Sequence, residues 1–289
     1  MRFAAAFFIV VASLLASLPA VAGGRVALVI GNAAYRHAPP LPNPGNDARD
    51  IGQALRELGF EVIEAFDLDK RALDEALQAF ARRLATSSTV LVFYAGHGLQ
   101  VGGVNYLLPV DARLEHERDL AFQAVRLDTI AQLLAFERDG LTSLVFLDAC
   151  RDNPLARSLA RSMGARSSAV EPGLAQVRSP AGAFIAYATA PGAVARDGVG
   201  RNSPFTAALL KRMRAPGKGL GTLMMEVRRD VMAATGGTQV PWDHSALTAE
   251  FYFVPRSGLE TGSPPGRERT PQEDRARRLK EELGLPPAR

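Results

Sequence analysis

An α/β fold built on a doubly wound, mostly parallel sheet is predicted by three features of the sequence. Short apolar runs that read as strands alternate with stretches whose apolar residues recur every three to four positions. Two of the runs, Thr89 to Ala95 and Leu144 to Leu147, are continuous rather than alternating, as in parallel strands covered on both faces. Both then break off abruptly, the first into Gly96-His97-Gly98 and the second into Asp148-Ala149-Cys150-Arg151. In open parallel sheets the carboxyl ends of the strands are where ligands and reacting groups collect. Two neighbouring strands would thus aim an imidazole and a thiol at one crevice.

The elements follow in order. Arg25 to Ile30 reads as a strand ending in Gly31-Asn32, followed by a proline-rich loop through Pro44. Asn46 and Asp47 can cap a helix that runs to Leu58, places Ala48, Ile51, Leu55 and Leu58 on one face and stops at Gly59. Phe60 to Ala65 is a short strand, and Asp69 caps a helix carrying Leu73, Leu77, Phe80 and Leu84. After the histidine-bearing strand, Gly98 to Leu108 suits a hairpin or lid, and Leu127 to Phe136 a helix. Periodicity is lost from Arg151 to Arg178, where Ser, Ala, Gly and Arg dominate, so residues 153–180 are expected to form a mobile loop. Ala181 to Ala188 then reads as a strand, Pro204 to Met213 and Leu220 to Ala234 as helices, and Leu247 to Phe253 as a last strand.

Composition bounds the possibilities. With 289 residues, 47% of them hydrophobic, the chain can bury one sizeable core plus appendages. A net charge of +4 with dispersed arginines argues against nucleic acid as a partner. Met1-Arg2, the apolar run Phe3 to Leu18 and Ala20-Val21-Ala22 have the form of a secretory signal over residues 1–22. A periplasmic or secreted protein is therefore expected, with membrane attachment only if that segment stays uncleaved. Residues 23–255 would form the main domain and 256–289, rich in Pro, Arg and Glu, a disordered or solvated tail.

An exported chain with a single cysteine forms no internal disulfide, so the thiol is either an inert core residue or kept for its reactivity. A thiol of ordinary pKa, about 8.5, is only a few per cent thiolate at neutral pH, and a nearby imidazole is the usual activator. His97 is the partner the strand pattern offers, and its flanking glycines should bring the backbone close to a substrate and leave the ring exposed. Asp148, two residues before the thiol, faces the same side if extended geometry persists, although spacing alone suits it to capping a turn. Asp47 likewise suits a helix N-cap. Were both carboxylates to reach the crevice, they would favour a cationic side chain. His37, His116 and His244 lie in loop or polar segments, have no metal-ligand spacing and are expected at the surface, so no metal and no cofactor are predicted.

The motifs Tyr94-Ala95-Gly96-His97-Gly98 and Leu147-Asp148-Ala149-Cys150-Arg151 together resemble those of the caspase-like cysteine peptidases, especially the bacterial relatives of metacaspases. The opening Arg25-Val-Ala-Leu-Val-Ile-Gly-Asn, Asn46-Asp47-Ala48, Leu108-Pro109-Val110-Asp111 and Asn202-Ser203-Pro204-Phe205-Thr206 extend the likeness over about Arg25 to Phe253. The resemblance implies a caspase-hemoglobinase fold, a mostly parallel six-stranded sheet between helices. It implies a polypeptide substrate, Cys150 as nucleophile, His97 as acid and base, and an oxyanion hole of the Gly98 and Cys150 N–H groups. Asp47 and Asp148 match the acidic positions of the metacaspase S1 pocket, which implies cleavage after Arg or Lys and not after Asp. Residues 98–111 lack the dense acidic cluster of the calcium-dependent members, which implies activity without calcium. The arginines between residues 151 and 178 would offer such an enzyme sites of self-cleavage. Acyl transfer by the same dyad and a non-catalytic peptide-binding module are the alternatives.

Overall fold

The computed structural model describes residues 24–135, 141–149, 154–164, 169–171, 173–177 and 181–256. The first strand, β1 (Gly24–Gly31), is followed by α1 (Pro44–Glu57), β2 (Phe60–Phe66), α2 (Lys70–Leu84) and β3 (Ser87–Ala95). A hairpin of β4 (Gly98–Val101) and β5 (Val104–Leu107) comes next, then a short α3 (Leu120–Gln123), β6 (Val125–Arg126), α4 (Leu127–Ala135) and β7 (Thr142–Asp148). The remaining elements are α5 (Pro154–Met163), β8 (Val170–Glu171), β9 (Ala183–Tyr187), α6 (Pro204–Met213), α7 (Leu220–Ala234) and β10 (Trp242–Ser245).

Six strands make the main sheet, in the order β10-β9-β7-β3-β1-β2. All neighbours are parallel except β10, which runs antiparallel to β9. Val26 to Ile30, Val90 to Ala95 and Leu144 to Leu147 are buried along their whole length, which is why these central strands read as unbroken apolar runs. Helix α1 lays Ala48, Ile51, Ala54 and Leu55 on the core, and α7 does the same with Leu223, Met224, Val227 and Val231. A smaller antiparallel sheet, β6-β5-β4-β8, stands beside the carboxyl end of β3.

Several boundaries differ from the sequence reading. Helix α1 begins at Pro44 behind Asn43, so Asp47 sits inside its first turn and is not the cap. Proline at the first helical position has no N–H to leave unsatisfied, which moves the start three residues upstream of Asp47. Residues 153–180 are not wholly irregular. Leu155 and Leu159, one turn apart, are buried in a second hydrophobic cluster with Leu99, Val101 and Leu120, and this contact holds α5 as a helix. Two leucines in a Ser- and Arg-rich stretch are a faint signal, yet burying them contributes roughly 1.5 to 3 kcal/mol each. The last strand is β10 rather than Leu247 to Phe253. That segment makes one isolated bridge, Gly219 to Tyr252, and anchors instead through buried Phe251 and Phe253, whose rings meet edge-on at 5.0 Å. The expected signal segment 1–22 and the tail beyond residue 256 lie outside the described residues.

Helices α6 and α7 are joined by Arg212, whose guanidinium grips both oxygens of Asp230 at 2.8 Å and Glu226 at 3.0 Å. Hydrogen bonding to Arg212 pulls the Asp230 carboxyl down to about 2 from 3.8. A carboxylate depressed in the folded state stabilises fully above its unfolded pKa and loses that contribution as pH falls through the folded one. The contribution of Asp230 to the melting temperature should therefore be constant above about pH 5 and be lost as the solution is acidified through that window. Asp230→Asn should melt lower at neutral pH and show a shallower decline between pH 4 and pH 2 in thermal scans.

Candidate active site

The histidine turn is built by the end of β3 and the start of β4. Gly96, at φ +156°, has no room for a side chain: a Cβ there would lie 2.7 Å from the Tyr35 hydroxyl and 2.8 Å from that of Tyr94. Those hydroxyls take hold of residue 97. The His97 N–H donates to Tyr35 Oη at 2.7 Å, and Tyr94 Oη donates to the His97 carbonyl at 2.7 Å. Leu108 N–H reaches the same carbonyl at 3.1 Å, closing the base of the hairpin. Asn32, buried after β1, donates to the Leu108 carbonyl at 3.0 Å, so the loop behind β1 and the His turn form one hydrogen-bonded unit. His97 is 2% exposed and its ring centroid lies 4.5 Å from that of Tyr35, which corrects the expectation of an exposed imidazole. Flanking glycines bring neighbouring groups in as readily as they bring a substrate in.

Strands β3 and β7 are neighbours in register, with Ala95 opposite Asp148. The Gly96 N–H donates across to the Asp148 carbonyl at 3.3 Å. The Ala149 methyl lies 3.4 Å from where a Cβ on Gly98 would stand, so the turn after β3 and the end of β7 touch. Cys150 itself lies outside the described residues. Behind Gly98, at 3.1 Å from that same Cβ position, sits Leu174. Its neighbour Ala175 is held at both N–H and C=O by the side-chain amide of buried Asn105, each at 2.6 Å, in imitation of strand pairing.

Asp47 and Asp148 are both 0% exposed and are joined through one residue, Ser203. The Ser203 hydroxyl donates to Asp148 Oδ2 in a short hydrogen bond, and its N–H donates to Asp47 Oδ1 at 3.0 Å. Thr206 Oγ1 donates to the same Asp148 oxygen at 2.8 Å, while Ser203 Oγ caps α6 by accepting the Thr206 N–H at 3.0 Å. Asp47 does not play the capping part that spacing alone suggested, since Asn43 holds that position. Both carboxylates bind the start of a helix more than fifty residues away in sequence. Outside them, Arg201 forks onto Asp50 at 2.8 and 2.9 Å, strapping the loop before α6 to α1. Hydrogen bonding to Arg201 holds the Asp50 carboxyl below its usual range.

Sequence reasoning missed Tyr35 and Asn105 as parts of this site, and saw Tyr94, Ser203 and Thr206 only within motifs. The Ser-Pro pair opening α6 was the one local signal, since it marks a capped helix start. His37 and His116 are exposed as expected, whereas His244, expected at the surface, is half-buried on β10. Among the described residues no three His, Asp or Glu side chains gather as a metal would require.

Comparison with known proteins adds the lineage. A segment of 127 residues, 44% of this chain, is 32% identical to mucosa-associated lymphoid tissue lymphoma translocation protein 1 of Homo sapiens, and its Mus musculus homolog matches equally. The match spans only 15% of the length of either relative. Among solved structures, caspase-1 from Spodoptera frugiperda superposes with a TM-score of 0.57 at 19% identity, covering 83% of this chain and 92% of that one, a likeness of fold. The family model of the caspase domain matches residues 24–252, all six strands of the main sheet and both carboxylates included. The chain therefore belongs to peptidase family C14, the caspase-domain cysteine peptidases.

Proposed function

We propose that the protein is an exported cysteine endopeptidase that cleaves after Arg or Lys, with Cys150 as nucleophile and His97 as acid and base. The observation that carries the reading is the register of β3 and β7: Ala95 stands opposite Asp148, and His97 and Cys150 each follow two residues later. In the first step the thiolate of Cys150 attacks the peptide carbonyl carbon, forming an oxyanion that the Gly98 and Cys150 N–H groups stabilise. Collapse expels the amine, which takes its proton from His97 and leaves a thioester. Water then adds to the thioester, His97 removes its proton, and release of the acid regenerates the thiol.

Asp47 and Asp148 supply the specificity. Two buried carboxylates beside the end of β7 make the region negative, and a desolvated carboxylate favours a guanidinium or ammonium partner far more than a second carboxylate. The leader at residues 1–22 directs the protein to the periplasm or out of the cell, where a single thiol has no internal partner to oxidise with. No metal has a part in these steps.

The test is a pair of fluorogenic peptides that differ only at P1. The arginyl peptide should be hydrolysed more than roughly a hundredfold faster than the aspartyl one, because the latter would bury a third carboxylate beside two others. Faster turnover of the aspartyl peptide would overturn the assignment of both acids.

A further inference from the structure

Between two glycines, the orientation of His97 is not fixed by its own backbone sterics. It is fixed by the two phenols that take its N–H and its C=O, each at 2.7 Å, together with the Leu108 N–H that reaches the same carbonyl at 3.1 Å. The two phenols are not equivalent. Tyr94 is fully buried in β3, and its hydroxyl also accepts the Leu108 N–H at 3.2 Å, so it belongs to the core as much as to the turn. Tyr35 comes from the loop behind β1 and is 7% exposed. The backbone around it is anchored without the phenol: Asp67 accepts the Ala33 and Ala34 N–H groups at 2.7 and 2.8 Å, and the Arg36 N–H donates to the Val110 carbonyl at 2.8 Å. Asp67 holds that clamp at φ +49°, a conformation few side chains adopt. The Tyr35 ring is thus delivered to the face of the imidazole, centroids 4.5 Å apart and planes inclined by 54°, by structure that does not need its hydroxyl.

We propose that Tyr35 is a positioning residue for His97: its hydroxyl sets the backbone of residue 97 and its ring limits the planes in which the imidazole can lie. This rests on the reading of His97 as the acid and base. In this scheme Tyr35 takes no part in bond making or breaking and acts on the reaction through the histidine, while its hydroxyl also donates to the Leu108 carbonyl at 3.3 Å. Its removal should therefore weaken the chemical step while leaving substrate affinity alone.

The experiment uses the full chain and two readouts, hydrolysis of an arginyl peptide and the rate at which iodoacetamide alkylates the single cysteine. Each is measured for Tyr35→Phe in the wild-type and His97→Ala backgrounds. In the wild-type background kcat should fall roughly tenfold with KM within about twofold, and alkylation should slow by a similar factor. In the His97→Ala background the same substitution should slow alkylation no further. Tyr35→Leu, which removes the ring as well, should be slower than Tyr35→Phe by at least a further threefold or so. Equal slowing in both backgrounds, or no slowing in an enzyme that depends on His97, overturns the positioning role alone. Alkylation of His97→Ala at the wild-type rate overturns the dyad, and this proposal with it.

Discussion

Cys150→Ala is expected to lower hydrolysis of an arginyl peptide by roughly ten-thousand-fold, to the residual level that binding and oxyanion contacts sustain alone. His97→Ala should fall by a similar factor, because a thiol without its base is mostly protonated at neutral pH and the leaving amine then departs unprotonated. The combination of both substitutions should cost little more than either one. Groups that act as a unit are strongly non-additive, and that pattern separates a dyad from two independent contributions. Active-site titration with an electrophilic arginyl peptide, followed by turnover of the same sequence as an amide, measures all three variants. Retention of hydrolysis in Cys150→Ala would exclude thiol chemistry altogether.

The second large effect is expected at Asp148. Asp148→Asn keeps an oxygen that can accept from Ser203 and Thr206 but removes the charge. Turnover of the arginyl peptide should drop by about a hundredfold or more, mainly in kcat/KM, while a peptide with a neutral P1 residue should be little affected. Asp148→Ala goes further. It leaves the Ser203 and Thr206 hydroxyls without their shared acceptor in a region where both residues are fully buried. Stability should fall by about 2 to 4 kcal/mol, since each stranded buried donor costs about 1 to 3. Urea denaturation of the two variants separates the effect of charge from the effect of the missing acceptor. Equal stability of Asp148→Ala and the unsubstituted protein would remove the structural half of this account.

What the sequence discloses about this molecule follows from the range of the forces involved. The central parallel strands were legible because continuous burial of β1, β3 and β7 leaves unbroken apolar runs, and α6 and α7 because their periodicity spans several turns, whereas the edge strand β10 was not. His97 and the acids were legible as residue types placed at strand and helix ends. Their surroundings were not. The phenol that holds His97 is 62 residues away in sequence, and the serine that joins the two carboxylates is 156 residues from Asp47. Contacts of that span impose no local pattern. Helix α5 escaped notice for the opposite reason: its signal is local but amounts to two leucines in a stretch of arginines, serines and alanines.

The fastening of that same stretch has a consequence for a severed chain. Its amino-terminal flank, α5, is retained by its leucines in the second cluster. Its carboxyl-terminal flank is retained by the ladder of β8 against β4, by the amide of Asn105 on Ala175, and by Leu174 lodged under Gly98. Hydrolysis of a bond between residues 164 and 169 would leave two polypeptides that still travel as one particle. Such a nick would sever the backbone without dismantling the packing of Leu174 against Gly98.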